Sequence, residues 1–408
     1  MNNVTIIGAG LSGCEAALQL ASLGYNVCLY DSKPKKLIEP YKLTSYAELV
    51  CNNSIGSASE KTPIGMLLKE LKLFGSKILE IAEKCRIDDP EFFAVDKKLF
   101  SQLVTEELCK KNIKVFNKHI DSLPCDDNVI VATGPLTDEF LISALSSRYG
   151  IEIFHFSDAS SPVVDIRTVD LNDNRVRKVT NDLYAISISN RDFQLFCEEL
   201  VQWAKQNVVH SIDKSINYEK CQSIEQLAQI GINELYLQRF NYKYTDQPCL
   251  LLRRECGLEN GFILIGCMTT LSHVAQRSVF SKIPCLKKCK LLKYGRMHRN
   301  TFLDAPKCLN EFFQVKGTNM FVVGQLSGID GYAPAVASGM VAAMRIVYGD
   351  ALLPIPTNTM IGGLARYVSN SKVIDFQPMC ASFALIDKSD QDIAETILIY
   401  QSQIRRRI

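Results

Sequence analysis

The sequence predicts a mixed α/β fold, built as two domains or as one large domain with an insertion. Its first thirty residues alternate strand, helix and strand. Near its end the chain has another unit, made of a strand, a glycine turn and a helix. The length of 408 residues exceeds that of most single domains. With 47% hydrophobic and 22% charged residues, the composition is that of a soluble globular protein.

Composition also narrows the class of protein. A formal charge of +2 excludes a strongly basic nucleic-acid binder, although a local basic face is still compatible with it. No apolar run reaches the roughly 18 residues that span a membrane, and no charged leader precedes the first strand. The 15 cysteines are odd in number and form no CxxC pair, which indicates reduced thiols without a metal site. We therefore expect a cytoplasmic protein.

The N-terminal segment carries a complete dinucleotide-binding pattern. Residues 4–7 form an apolar strand, residues 14–23 a helix ended by Gly24, and residues 27–30 a second strand. A GxGxxG turn joins the first strand to the helix, and Asp31 ends the second strand, so strand, turn, helix and acid stand in register. The turn consists of Gly8, Ala9, Gly10, Leu11, Ser12 and Gly13.

Each part of this pattern has a physical role in a Rossmann-like unit. Gly8 permits the tight turn, Gly10 lets the backbone approach a pyrophosphate, and Gly13 lets the helix pack on the strand. The helix N-terminus offers N–H groups and partial positive charge to the phosphates. Asp31 is placed to accept hydrogen bonds from ribose hydroxyls.

Three further segments are predicted to form helices or strands. Residues 62–83 are expected to form one long amphipathic helix, with Pro63 in its first turn. Residues 129–132 form a buried strand that enters a turn at Thr133 and Gly134. Near the end, a strand over 320–325 precedes a glycine turn and a small-residue helix over 333–347, a second place where backbone can approach a cofactor closely. We expect this turn to line the cofactor through Gly324, Gln325, Asp330, Gly331 and Tyr332.

Six collinear stretches of the chain resemble the folate- and FAD-dependent tRNA uracil-5-methyltransferases, the TrmFO/Gid family. The stretches around residues 47–54 and 294–302 are far more specific than a glycine fingerprint. Together the stretches extend over nearly the whole chain. They are residues 7–17, 47–54, 132–137, Cys221 with 224–225, 294–302 and 324–332.

This resemblance implies an FAD-binding, Rossmann-like domain of the glutathione-reductase type with an inserted α/β domain. The expected layout is an FAD-binding domain over residues 1–175 and 313–408, interrupted by an insertion domain over 176–312 on the RNA side. It also implies a reaction: the methylene group of 5,10-methylenetetrahydrofolate is delivered to C5 of a uridine, and FAD reduced by NAD(P)H supplies the reducing equivalents. The substrate that the resemblance implies is a structured RNA.

Two cysteines align with the family's functional thiols, Cys51 and Cys221. Uracil C5 becomes nucleophilic when a thiolate adds to C6, and a base must then remove the C5 proton. Cys221 aligns with the thiol that adds to C6 and Cys51 with the flavin-proximal thiol that serves as base, although the division of work between them stays open. The alternative for each is a buried, inert thiol.

Basic residues supply candidates for anionic substrates. Arg296, His298 and Arg299 could bind folate or an RNA phosphate, or form a structural turn. A lysine-rich stretch could form an RNA-contacting face or only a solvated surface. Its lysines are Lys282, Lys287, Lys288, Lys290 and Lys293.

The chain departs from the family pattern in residues 39–44, 52–54, 222–225 and 237–242. Sequence differences in the insertion domain are expected to change which RNA is bound before they change the reaction. We therefore weigh 23S ribosomal RNA equally with the tRNA T-loop as the substrate. Two other functions stay open: a divergent FAD-binding protein that binds RNA or a partner without methylating, and an FAD oxidoreductase of small molecules.

Overall fold

The structure is a computed structural model that describes residues 3–35, 41–50, 53–87, 92–111, 113–124, 128–159, 161–206, 222–242, 244–255, 260–295, 297–389 and 391–407. The strands, in chain order, are β1 (Asn3–Ile7), β2 (Asn26–Asp31), β3 (Ser54–Ser57), β4 (Phe92–Ala94), β5 (Ile113–Asn117), β6 (Val129–Val131), β7 (Ile153–Ala159), β8 (Val163–Asp165), β9 (Val176–Thr180), β10 (Leu183–Ser187), β11 (Cys249–Arg254), β12 (Gly261–Leu264), β13 (Leu291–Lys293), β14 (Met297–Leu303) and β15 (Met320–Val322). The α-helices are α1 (Leu11–Ser22), α2 (Pro63–Leu73), α3 (Lys77–Lys84), α4 (Lys97–Lys110), α5 (Glu139–Tyr149), α6 (Asn190–Gln206), α7 (Ile224–Ile230), α8 (Ile232–Leu235), α9 (His273–Phe280), α10 (Ala305–Cys308), α11 (Tyr332–Tyr348), α12 (Met360–Ser369) and α13 (Ile393–Arg405).

The chain forms two compact units, residues 1–154 with 301–408 and residues 155–300. The domain boundaries expected from the sequence, near residues 175 and 312, are both later in the chain than these. The first boundary precedes β8 because β8 pairs with β12 and β13 in the sheet of the second unit. The second boundary precedes α10 because α10 packs against α12 of the first unit.

The first unit is built on a five-stranded parallel sheet in the order β15-β6-β1-β2-β5. This confirms the predicted Rossmann-like α/β class. Helix α1 crosses from β1 to β2 and packs against α11. Small residues make this packing close, since a Cβ on Gly339 of α11 would lie 2.1 Å from the Ser12 carbonyl oxygen.

The helix expected over residues 62–83 is instead two helices, α2 and α3. Gly75 adopts a left-handed φ of +77°, which ends the first helix. The hydroxyl of Ser76 then accepts a hydrogen bond from the N–H of Leu79 and caps the second. The single-helix prediction is therefore wrong, because Gly75 ends one helix and Ser76 begins the next.

The second unit contains a six-stranded antiparallel sheet in the order β13-β8-β12-β11-β10-β9. Its core is aromatic, with Phe193, Phe196 and Phe240 in mutual ring contact. Helices α6, α7 and α9 cover this core, so the inserted unit combines helices with a sheet, as predicted, and that sheet is antiparallel.

A buried carboxylate joins two helices of the first unit. Glu70 of α2 is fully buried and accepts hydrogen bonds from the N–H groups of Met360 and Ile361, at 2.7 and 2.9 Å, at the start of α12. Burial raises the pKa of Glu70 to about 7, although both backbone hydrogen bonds oppose that shift.

This shift predicts a pH-dependent stability. Since the folded-state pKa of about 7 lies above the ordinary 4.5, the folded protein binds more protons than the unfolded chain between these values. The free energy of unfolding contributed by Glu70 therefore falls as pH rises from about 4.5 to 7. Denaturant titrations at pH 5 and pH 8 measure the free energy of unfolding of Glu70→Gln and of the wild type. The value for Glu70→Gln minus the value for the wild type should be roughly 1–3 kcal/mol larger at pH 8 than at pH 5. An unchanged difference would contradict this assignment.

Within the described ranges, every helix is too short or too polar to cross a bilayer. The same residues contain no group of three or more His, Cys, Asp or Glu side chains arranged to hold a metal ion.

Candidate functional site

The candidate site lies at one edge of the five-stranded sheet. In the parallel register, Ile7 pairs with Val131, and Val131 pairs with Val322. The carboxyl ends of β1, β6 and β15 therefore meet at the same edge, where ligands of open α/β sheets bind. Each of these strands continues into a turn that contains glycine.

Two glycines of the first turn are required by close backbone contacts. Gly8 has a φ of +102°, and its N–H donates to the carbonyl oxygen of Tyr30 at 2.8 Å. A Cβ on Gly8 would lie 2.4 Å from the Ala132 oxygen, and a Cβ on Gly13 would lie 1.9 Å from the Gly8 oxygen. Side chains at either position would force the strand, turn and helix apart.

Gly10 differs from both, because its surroundings are open. It is the N-cap of α1 with an ordinary φ of −75°, and no side chain caps the helix there. A Cβ on Gly10 would meet only the Ala132 oxygen, at 4.0 Å. An uncapped helix N-terminus beside an open stretch of backbone suits the pyrophosphate of FAD, so the residues present fit this cofactor.

Asp31 connects the end of β2 to the glycine turn. One carboxylate oxygen accepts the N–H of Ala9 at 2.7 Å, and the other accepts the N–H of Lys33 at 2.8 Å. Each oxygen keeps a further lone pair, so the predicted contact with ribose hydroxyls is compatible with these bonds. Asp31 thus also holds the turn in shape.

The segment before Cys51 is tied to the same turn. The N–H of Ala47 donates to the carbonyl oxygen of Ala9 at 2.9 Å. The carboxylate of Glu48 forms a buried ion pair with Lys33 at 2.8 Å and also accepts the backbone N–H groups of residues 42 and 43. Ala47 has a φ of +50°, a strained conformation for alanine that these bonds hold in place. Cys51 itself lies outside the described residues.

The turn after β6 meets the end of the 294–302 stretch. Gly134 has a φ of +72°, and its carbonyl oxygen accepts the hydroxyl of Thr137 at 2.7 Å. The hydroxyls of Thr133 and Thr137 are 2.6 Å apart. The N–H of Thr301 donates to the Pro135 oxygen at 2.8 Å, so two of the resembling stretches are in direct contact.

The turn after β15 forms the third side of the site. The N–H of Gly324 donates to the hydroxyl of Ser338 at 2.8 Å, and a Cβ on Gly324 would lie 2.8 Å from Ser12 Oγ. Further along, the Gln325 amide donates to Asp330 at 3.3 Å, and burial raises the pKa of Asp330.

The N-terminus of α11 completes this third side. Gly331, with a φ of +104°, is the N-cap of α11, and no side chain caps that helix. Tyr332 is the first residue of α11. Like α1, α11 therefore begins at an N-terminus without a side-chain cap.

The remaining candidates belong to the 294–302 stretch and to Cys221. Arg296 and Cys221 lie outside the described residues, while His298 and Arg299 are part of β14. Beyond Cys221, the oxygen of Gln222 accepts a hydrogen bond from Arg239 Nη2 at 3.2 Å. The structure thus places a guanidinium beside the residue that follows Cys221.

Sequence reasoning did not predict the contacts of three residues of this site. The hydroxyl of Ser338 binds Gly324, and the Lys33–Glu48 pair joins β2 to the segment before Cys51. A serine within a small-residue helix gave a weak signal for the first. The buried ion pair had no signal, because its partners are 15 residues apart without periodicity.

Comparisons with known proteins agree with this architecture. The family described as GIDA, glucose inhibited division protein A, matches residues 3–349. Two solved crystal forms of Aquifex aeolicus GidA superpose with TM-scores of 0.71 and 0.69, covering 99% of this chain and 76% and 73% of theirs. Sequence identities of 16% and 15% mean that these structures support the fold alone.

Curated relatives are more similar in sequence. A protein of Sulfurihydrogenibium sp. (strain YO3AOP1) is 34% identical, over 96% of this chain and 92% of its own length. A protein of Acetivibrio thermocellus is 33% identical over 94% and 92%, and one of Aquifex aeolicus is 32% identical over 96% and 92%. Each is named methylenetetrahydrofolate--tRNA-(uracil-5-)-methyltransferase TrmFO. With a family match over most of its length and relatives at this identity, the chain belongs to the TrmFO/Gid family.

Proposed function

We propose that this protein is a folate- and FAD-dependent RNA uracil-5-methyltransferase that forms C5-methyluridine in tRNA. The observation that carries the proposal is the hydrogen bond from Ala47 N–H to the Ala9 oxygen. It anchors the segment that leads to Cys51 on the glycine turn that fits FAD. Relatives named for this activity support it over nearly the full length of the chain.

The cofactor-binding residues divide by the contacts that they offer. The N-terminus of α1, at residues 10–13, holds the pyrophosphate, and Asp31 holds the ribose. Residues Thr133, Gly134, Gly324, Gln325, Asp330, Gly331 and Tyr332 surround the rest of FAD. When bound, methylenetetrahydrofolate supplies the one-carbon unit, and FAD reduced by NAD(P)H supplies the reducing equivalents.

Cys221 adds as a thiolate to C6 of the uracil. The new S–C6 bond moves an electron pair onto C5, which becomes an enolate carbon able to attack an electrophilic one-carbon unit. Loss of the C5 proton then allows the S–C6 bond to break and the thiolate to leave. The bond between the one-carbon unit and the folate nitrogen must also break, and the hydride that completes the methyl group would come from the reducing equivalents of FAD. Arg239, bound to the adjacent Gln222 carbonyl, supplies positive charge that favours the thiolate.

Cys51 acts as the base that removes the C5 proton. Its place in the chain, four residues after Ala47, follows a segment held by both Ala9 and Lys33. A positioned base near the folate and the flavin is what this proton transfer requires.

Arg296, His298 and Arg299 are proposed to bind the anionic folate or an RNA phosphate. They stand two to five residues before Thr301, whose N–H donates to the Pro135 oxygen. The target uridine must leave its stack to reach the thiols, as in other enzymes that act on bases.

The RNA target is tested by deleting the gene and mapping C5-methyluridine in tRNA and 23S ribosomal RNA. We expect the tRNA T-loop to lose the modification. Loss at a ribosomal site with intact T-loops would assign the protein to 23S rRNA, the alternative that the departures at 222–225 and 237–242 favour. Intact modification in both RNAs would contradict the methyltransferase proposal.

A second assay separates the enzyme from an FAD-binding protein that does not methylate. NAD(P)H added anaerobically to the purified protein should bleach the flavin absorbance. A flavin that neither cofactor reduces would favour the binding protein, whereas turnover without RNA would favour an oxidoreductase of small molecules.

A further inference from the structure

One region of the second unit is strongly basic in an otherwise balanced chain. Residues 260–300 contain eight Lys or Arg residues and no Asp or Glu, whereas the whole chain has 46 basic and 44 acidic residues. Such a run alone is usually a solvated surface. The structure shows which of these charges are neutralised and which are available.

Two of the five lysines predicted for an RNA face are neutralised. Lys282 forms an ion pair with Glu199 at 3.2 Å, and Lys293 forms one with Glu255 at 3.4 Å. By contrast, Arg277, Lys287 and Lys288 are exposed and pair with no carboxylate of the described residues.

These three cations line a single cavity of about 280 Å³. The lining also includes Phe280, Leu286 and Leu291. A cavity of this size is smaller than most ligand pockets and can admit a phosphate with little more than its sugar. Three guanidinium or ammonium groups around a small concavity are suited to phosphate oxygens.

Aromatic rings stand beside the cations. The rings of His273 and Tyr294 are stacked, with centroids 3.9 Å apart and planes inclined by 15°, and the Arg277 guanidinium lies 5.9 Å from the Tyr294 ring. The buried Gln276 holds this arrangement, because its amide donates to the Gly295 oxygen at 2.8 Å and accepts the Gly295 N–H at 2.9 Å. Helix α9 and the loop after β13 are thereby fixed to each other.

We propose that this surface, the α9 basic face (His273, Arg277, Lys287, Lys288 and Tyr294), docks the phosphodiester backbone of the substrate RNA. One phosphate enters the cavity and its neighbours along the backbone lie against the exposed cations at the rim, while the His273–Tyr294 stack packs against an unstacked base or a ribose, the combination by which proteins hold flexible RNA. The inference rests on the proposed function for the identity of the ligand. It adds the surface that binds RNA outside the reaction centre.

The test measures binding of an unmodified tRNA transcript to the FAD-loaded protein over a range of salt concentrations. The triple variant Arg277→Gln, Lys287→Gln, Lys288→Gln should raise the Kd by about 10- to 100-fold, and should reduce the salt slope by about 2–3, since each lost phosphate contact lowers it by about 1. His273→Ala should raise the Kd a few-fold. A matched control, Lys84→Gln, Lys110→Gln, Lys111→Gln, removes the same charge from exposed positions of the first unit and should leave the slope unchanged.

The outcomes separate this inference from the proposed function. If the triple variant binds RNA with the wild-type slope while the wild type forms methyluridine, the face is not the docking surface and the function stands. An equal loss in the control would show net charge alone and would overturn the inference, as would a raised KM for NADPH with unchanged RNA binding. Should the triple variant fold poorly, Lys287→Gln and Lys288→Gln singly, both exposed, should each lower the slope by about 1.

Discussion

Gly10→Ala is expected to abolish most FAD binding while the protein stays folded. The added Cβ meets only the Ala132 oxygen, at 4.0 Å, and the φ of −75° suits alanine. The stability cost at this N-cap should stay below about 1 kcal/mol. The methyl group would, however, push away the pyrophosphate, and a lost charged hydrogen bond of about 3 kcal/mol corresponds to about 100-fold in Kd. FAD titration and thermal unfolding of the apoprotein measure the two effects separately.

Gly13→Ala provides the contrast. Its Cβ would lie 1.9 Å from the Gly8 oxygen, a backbone atom that cannot move aside alone, so we expect a loss of about 3 kcal/mol or more in stability together with loss of FAD. Gly231→Ala is the matched control, because Gly231 has an extended φ of 163° and nothing within 4 Å of the added carbon. Equal FAD affinity in Gly10→Ala and the control would contradict the site.

Substitution of the two aligned cysteines should produce the largest loss of activity. Cys221→Ala removes the proposed nucleophile and should lower methylation by on the order of 10⁴-fold or more. Cys51→Ala removes the proposed base and should lower it by on the order of 10²–10⁴-fold. Methylation of a tRNA transcript under single-turnover conditions measures both.

The matched control for these variants is Cys109→Ala, since Cys109 is a free, exposed cysteine. It should retain wild-type activity. A covalent adduct with 5-fluorouracil-containing RNA should form in the wild type and the control and be missing in Cys221→Ala. An adduct that persists in Cys221→Ala but is missing in Cys51→Ala would reverse the two assigned roles.

Much of the first unit could be predicted from the sequence because its signals are local. The glycine spacing at residues 8–13 predicts the conformation of the turn, because a Cβ on Gly13 would clash with a backbone oxygen. The two helices in place of one at residues 62–83 show the limit of periodicity. Gly75 and Ser76 end one helix and begin another without interrupting the apolar stripe.

Contacts between distant segments could not be predicted in the same way. The bond between Ala47 and Ala9, the bond between Thr301 and Pro135 and the α9 basic face all depend on tertiary packing. The resemblance marked residues 47–54 and 294–302 as specific, but it did not say what they touch. The five lysines show the same limit, because only packing decides that Glu199 and Glu255 neutralise two of them.

The proposed transfer of a one-carbon unit from folate to uridine C5, with FAD as the bound reductant, can be followed with an isotope. The purified, FAD-loaded protein is incubated with an unmodified tRNA transcript, NAD(P)H and methylenetetrahydrofolate labelled in its methylene carbon. Nucleoside mass spectrometry should find the label in C5-methyluridine, and the signal should vanish in Gly10→Ala and Cys221→Ala. If the wild-type protein leaves both tRNA and 23S rRNA fragments unlabelled, the protein does not catalyse this transfer.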